Sequence, residues 1–142
     1  MYVRRSHATS IPIGAAMIGG NMSKAAKTIF VFGIYMAITG IVLVISPNTL
    51  LGILGLPLTN EPWIRLLGFF MIMVGYYYYR TAQSEATGFF RATIHGRTMI
   101  GFFLVWLGLT GSGLILVLFA VGEWIGALAT WLALRAPARP SA

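Results

Sequence analysis

Long stretches without a charged side chain make up most of the sequence. The first runs from Thr28 to Ser46, and at 1.5 Å per residue a helix of about 19 residues crosses the roughly 30 Å hydrocarbon core of a bilayer. Lys24 and Lys27 precede this stretch, and Pro47 ends it because proline interrupts a helix. The pattern therefore predicts a first transmembrane helix.

The second apolar stretch begins near Pro62, a favourable first position of a helix, and ends near Arg80. Trp63 and the run Tyr76–Tyr79 lie at its two ends, as the aromatic belts of a membrane span do. Residues 47–61, which connect the two stretches, contain several leucines but are too few to cross a bilayer. We expect them to form a short helix in the membrane interface.

Charged residues interrupt the third stretch. The uncharged run from Thr98 to Leu109 is too short to cross a bilayer, so the predicted span reaches back to Phe89. Thr110–Gly113 predicts a tight turn, after which a fourth stretch runs from Leu114 to Leu134. The alternative is one long helix over residues 97–121, but the chain after it would be too short for another span.

Composition favours a membrane protein and excludes other classes. Hydrophobic residues make up 58% of the chain and charged residues 9%, whereas a soluble domain has about 25% charged residues. The high hydrophobicity also excludes disorder, and the lack of cysteine excludes disulfides and thiol redox chemistry. The sequence therefore predicts an all-α integral membrane bundle of four transmembrane helices over residues 24–135, with a short interfacial segment between helices 1 and 2.

The net charge of +7 serves as a signal of orientation, because the basic residues lie between apolar segments instead of forming a nucleic-acid-binding patch. In a four-span arrangement only Arg65 lies near one side, and the other nine basic residues share the opposite side: Arg4, Arg5, Lys24, Lys27, Arg80, Arg91, Arg97, Arg135 and Arg139. We therefore expect a multi-pass protein of the bacterial inner membrane with cytoplasmic tails at residues 1–23 and 136–142. Met22 is an alternative start.

Glycines recur at spacings that place them on one face of a helix. Small residues let helices approach closely in lipid, where the hydrophobic effect does not drive helices together. The predicted packing positions are Gly33 and Gly40, Gly68 and Gly75, Gly101 and Gly108, and Gly122 and Gly126.

Glu123 lies near the middle of the fourth span, about 18 Å along the helix from its end. A charge at that depth costs roughly 2.5–3.5 kcal/mol on insertion scales, so Glu123 needs a partner or a proton. Arg97 is the first candidate partner. Arg65 is the second, although it can also pair with Glu61 one helical turn earlier. The Arg97–Glu123 pair either fixes the helix register or forms a polar site in an apolar cavity.

Three further side chains are candidates for a buried polar or ligand site: His95, Tyr76 and Tyr79. His95 is expected to be a structural histidine at the interface, because haem or metal ligation needs additional ligands. The three acidic residues of the chain do not provide a catalytic set, so we assign no catalytic residue, metal site or cofactor and leave open whether the protein is an enzyme.

The segments ISPNTLLGILGLP (45–57), EPWIRLLGFFMIMVGYYYYRTA (61–82), FFRATIHGR (89–97) and WLALR (131–135) resemble small bacterial membrane proteins of the BphX-like and DoxX-like kind. The resemblance covers about residues 27–135 and implies a four-helix layout. BphX-like proteins are associated with aromatic-degradation operons, and DoxX-like members have accessory roles beside oxidoreductases. Neither family implies a catalytic motif at positions of this chain.

These features favour a small accessory or structural protein, a subunit or partner of a larger inner-membrane assembly or a homo-oligomer in the lipid bilayer. The alternative is a binding module for a small apolar molecule, such as a lipid, a quinone or an aromatic compound, at a site among Tyr76, Tyr79, Arg97 and Glu123. A proton-coupled transporter is a third hypothesis, against which the one-sided charge distribution argues.

Overall fold

The computed structural model describes residues 22–136, and the predicted tails lie almost entirely outside this range. The described chain is helical and contains no strand. Its helices are α1 (Lys24–Ile45), α2 (Pro47–Ile53), α3 (Trp63–Gln83), α4 (Thr87–Leu107) and α5 (Ile115–Arg135). The all-α prediction is therefore confirmed, and so is a short helix within residues 47–61.

Three helical segments of the described chain are long and apolar enough to cross a membrane: Lys24–Ile45, Thr87–Gly111 and Ile115–Arg135. The helix α3 has a similar length of 21 residues, but its tyrosine run and its two arginines lower its mean hydropathy. The structure therefore supports a membrane protein with three such helices on length and composition.

A wide helical turn at Gly108–Ser112 separates α4 from α5. Gly111 and Gly113 have φ values of 103° and 108°, a backbone region that favours glycine, and they reverse the chain direction. The alternative of one helix over residues 97–121 is therefore wrong.

The helices α1 and α3 form an antiparallel pair in which glycines face glycines. A methyl group added to Gly40 would lie 2.5 Å from the carbonyl oxygen of Gly68, and one added to Gly75 would lie 2.7 Å from that of Gly33. The backbones of α1 and α3 therefore touch at two levels about two turns apart, and no side chain larger than hydrogen fits there.

The helices α4 and α5 pack as a second antiparallel pair, in which glycines of α4 make room for side chains of α5. The indole of Trp124 occupies the space over Gly101, and a methyl group added to Gly108 would lie 2.8 Å from Cγ2 of Val117. The indole Nε1 of Trp124 also donates a hydrogen bond to the carbonyl oxygen of Thr98 at 3.3 Å.

Both helix pairs join at one end of the bundle. A buried cluster there combines Ala26 and Ile29 of α1, Ala82 of α3 and Phe90 of α4, with Leu134 of α5 against it. Towards the other end, the cluster of Leu43, Leu51 and Ile64 contains only α1, α2 and α3. The helix α5 therefore contributes to the buried cluster at one end only.

Replacing Gly40 with alanine should lower the free energy of unfolding by about 1–3 kcal/mol, because the new methyl group meets backbone atoms that cannot move aside. The matched control is Gly96→Ala, where an added methyl group meets nothing within 4 Å. Thermal unfolding of both purified variants in detergent measures the difference. Equal stability of the two variants would contradict the glycine contact.

Candidate functional site

The site is centred on an ion pair between α4 and α5. Nε of Arg97 donates to Oε2 of Glu123 at 2.9 Å, and the two side chains are 6% and 15% exposed. It is the only ion pair within residues 22–136. The structure therefore brings together the two charged residues that the sequence paired, in the interior of apolar helices where an unpaired charge is costly.

Two neighbours hold the guanidinium of Arg97 in place. Its Cζ lies 3.7 Å from the centre of the Phe32 ring of α1, within the range of a cation–π interaction. The guanidinium also fills the space that a Cβ atom at position 126 would take, so the glycine there leaves the room that Arg97 occupies. Arg97 therefore connects α4 to both α1 and α5.

The prediction for Gly122 and Gly126 as a helix-packing pair is wrong in this form. Gly126 accommodates the side chain of Arg97 instead of a helix backbone, and a methyl group added to Gly122 meets nothing within 4 Å. Gly122 instead lies beside an open space. The other six predicted glycines each lie in close contact with a neighbouring helix.

That open space is a groove of about 660 Å³ between α1 and α5, with Arg97 of α4 in its wall. The ion pair faces into this groove, and most other lining residues are apolar: Val31, Phe32, Leu118, Phe119, Gly122, Gly126 and Ala129. Val31 and Leu118 are 64% and 66% exposed, so the groove is open along its side and not enclosed by the bundle.

Three polar side chains besides the ion pair line the groove: Lys27, Thr28 and Tyr35. The hydroxyl groups of Thr28 and Thr130 are 3.0 Å apart and join α1 to α5 by a hydrogen bond. Sequence reasoning missed Tyr35 and Phe32. The available signal for Tyr35 was its hydroxyl group, a polar group in the middle of the uncharged first span.

Arg65 lies at the C-terminal end of α1 and does not reach the ion pair. Its Nη1 donates to the carbonyl oxygen of Val44, with Ile45 O at 3.4 Å. The last carbonyl groups of a helix have no partner within it and attract cations, which explains this position. The predicted pairing of Arg65 with Glu123 is therefore wrong, and so is its pairing with Glu61.

The remaining candidates also lie outside the groove. His95 is exposed on the outer side of α4. Tyr76 is 53% exposed and Tyr79 is 38% exposed, and Tyr79 accepts a hydrogen bond from Gln83 at 2.7 Å. The tyrosine that points inward is Tyr78, whose ring centre lies 5.2 Å from that of Phe32. The predicted site among Tyr76, Tyr79, Arg97 and Glu123 is thus wrong in its tyrosines.

A double-mutant cycle tests the ion pair. Arg97→Gln and Glu123→Gln should each lower the free energy of unfolding by about 3 kcal/mol, because each leaves a buried charge without its partner. The double variant should lose less than the sum of the two, by about 1 kcal/mol or more. Thermal or denaturant unfolding in detergent measures all three. Additive losses would show that the two side chains do not interact.

No protein family, curated protein or solved structure matches this chain. The resemblance to BphX-like and DoxX-like proteins stays a prediction. Within residues 22–136, no group of three or more His, Asp and Glu side chains is arranged to hold a metal ion. The ion pair and the groove are thus the features from which function can be inferred.

Proposed function

We propose that this protein is a membrane binding module that takes up a small, largely apolar molecule in the groove between α1 and α5. The observation that carries the proposal is the position of the Arg97–Glu123 pair, which is buried among apolar helices yet faces a groove of about 660 Å³. Small-molecule sites commonly have about 300–1,000 Å³, mostly apolar walls and a few polar groups that orient the ligand.

A purely structural ion pair explains less of the arrangement. A pair that only fixed the helix register would be covered on all sides, because burial strengthens it. Here the ion pair instead borders a groove, and the lack of a side chain at Gly122 leaves space beside it on the α5 side. Ionisable groups inside membrane spans commonly mark binding or transport pathways.

The open side of the groove favours entry from the bilayer. Val31, Tyr35 and Leu118 border the groove and are exposed on the outside of the bundle. In a membrane this surface faces lipid tails, so a dissolved apolar molecule reaches the ion pair without crossing water.

We further propose four spans, with α3 as the fourth. The helix α3 runs antiparallel to α1 in backbone contact, so it has to share the depth of α1 in the bilayer. Its exposed residues near the start are Leu66, Leu67, Phe69 and Phe70, which suit a lipid-facing surface. Hydrogen bonds at 2.7 Å from Ser23 to Glu85 place the start of α1 beside the α3–α4 loop, as two crossings require.

In this arrangement both termini and the α3–α4 loop are cytoplasmic in a bacterial inner membrane, because basic residues concentrate there. The α2 helix and the loop after it lie at the opposite surface.

A second candidate function is that of an accessory subunit in a larger assembly or a homo-oligomer. The observation that favours it is the outer side of α4, where Arg91 and His95 are exposed. Polar residues inside spans usually face protein or water, so a second chain on this side would shield them from lipid. Native mass spectrometry distinguishes the two functions, since a subunit carries a second polypeptide.

Filling the groove should abolish ligand binding without unfolding the protein. Gly122→Leu adds a side chain into the groove, where an added methyl group meets nothing within 4 Å. Gly96→Leu is the matched control, with equal space on the outside of α4. We expect native mass spectrometry after gentle extraction to show a small bound molecule on the wild type and on Gly96→Leu but not on Gly122→Leu. Retention by Gly122→Leu would contradict the groove as the binding site.

The proposed topology can be tested with single cysteines, because the native chain has none. Leu58→Cys lies after α2, and Ser84→Cys lies in the α3–α4 loop, both at exposed positions. A membrane-impermeant maleimide added outside intact cells with a permeabilised outer membrane should label position 58 only. Labelling of both positions, or of neither, would contradict the crossing of α3, and labelling of position 84 alone would contradict the proposed orientation.

A further inference from the structure

We propose that the ligand of the groove is an amphiphile with a carboxylate head group, which binds the terminal nitrogens Nη1 and Nη2 of Arg97. This inference rests on the proposed function, because it names the ligand class of the same groove.

Arg97 has unused hydrogen-bonding capacity. A guanidinium carries five N–H donors, and within residues 22–136 only Nε–H is bonded, to Glu123 at 2.9 Å. The side chain is 6% exposed, yet the described residues include no fully buried polar side-chain atom without a partner. Both terminal nitrogens therefore reach the groove surface, where an acceptor from a ligand would satisfy them.

The guanidinium of Arg97 is held in a defined orientation. The Phe32 ring lies against it, and Gly126 brings the α5 backbone next to Nη2. These contacts fix the plane of the fork, so its donors point in set directions. A fixed fork suits the two coplanar oxygens of a carboxylate, which can accept two parallel hydrogen bonds.

The charged residues that line the groove leave it with a net positive charge. Glu123 offsets the charge of Arg97, and Lys27 adds a second cation to the groove lining. Lys27 forms no ion pair with any described residue. The groove therefore has one net positive charge beside apolar walls, which favours an anionic head with an apolar tail over a cationic or neutral amphiphile.

A free carboxylic acid and a phospholipid both present anionic oxygens beside an apolar chain. A guanidinium fork can bind either group through two hydrogen bonds, and the groove of about 660 Å³ favours a single-chain carboxylate over a two-chain phospholipid. Dodecanoate, dodecanol and dodecyl phosphate each contain twelve carbons and differ in the head group. They therefore distinguish a carboxylate ligand from a phosphate ligand, and both from a ligand that binds through its apolar chain alone.

The experiment measures binding of each probe to the delipidated full-length protein in a nonionic detergent, at a pH well above the carboxyl pKa. We expect dodecanoate to bind at least about tenfold more tightly than dodecanol, since charge-assisted hydrogen bonds contribute that much. Arg97→Gln/Glu123→Gln, which leaves no buried charge unpaired, should remove the part of the preference for dodecanoate over dodecanol that Arg97 provides and leave only the contribution of Lys27.

Lys27→Gln should weaken dodecanoate binding by about three- to tenfold through the lost charge. Lys24→Gln is the matched control, because Lys24 is exposed one helical turn earlier and does not line the groove. Both lysines are exposed, so both variants should fold normally.

Equal binding of dodecanoate and dodecanol, with both lost in Gly122→Leu, would overturn the carboxylate assignment and leave the groove as a binding site. Tighter binding of dodecyl phosphate than of dodecanoate would overturn it in favour of a phospholipid head group. Binding of none of the probes would also overturn the carboxylate assignment. The proposed function would still be tested separately, by whether the extracted wild type carries a small bound molecule that Gly122→Leu lacks.

Discussion

A charged side chain inside apolar helices needs a partner, and the arrangement of α1, α4 and α5 depends on how Arg97 meets this need. Glu123 neutralises its charge, Phe32 covers part of its surface, and Gly126 leaves the room that it occupies. Phe32 belongs to α1, and Glu123 and Gly126 belong to α5, so the guanidinium joins α4 both to its packing partner α5 and to α1, which α4 contacts little elsewhere. The same side chain that stabilises the bundle also forms part of the groove wall.

The α1–α3 pair depends on a different interaction. Here glycines at two levels allow direct backbone contact, because dispersion and close packing replace the hydrophobic effect in lipid. This pair is closely packed and contains no ion pair among the described residues. The molecule thus combines a glycine-packed α1–α3 pair with a groove beside α5. The Arg97–Glu123 ion pair lies at this groove.

The sequence predicted much of this organisation, for identifiable reasons. Helix positions follow from uncharged stretches and from proline and glycine at their ends, and the Arg97–Glu123 pair follows from the cost of charge in an apolar span. The roles of Arg65 and of the tyrosines depend on helix rotation and on contacts between distant segments. Adjacent residues of a helix point about 100° apart, so composition cannot decide which of four consecutive tyrosines faces inward. The groove itself lies between α1 and α5, which are far apart in the sequence, so no local pattern encodes it.

Photocrosslinking in native membranes tests directly whether the groove binds a ligand. Leu118, which borders the groove, is replaced by benzoylphenylalanine, and Phe70 on the outside of α3 receives the same substitution as a control. Mass spectrometry of the irradiated protein then identifies the attached molecules. If the groove binds a ligand, position 118 should give a distinct small-molecule adduct and position 70 only bulk-lipid adducts. The same set of lipid adducts at both positions would contradict a ligand-binding groove.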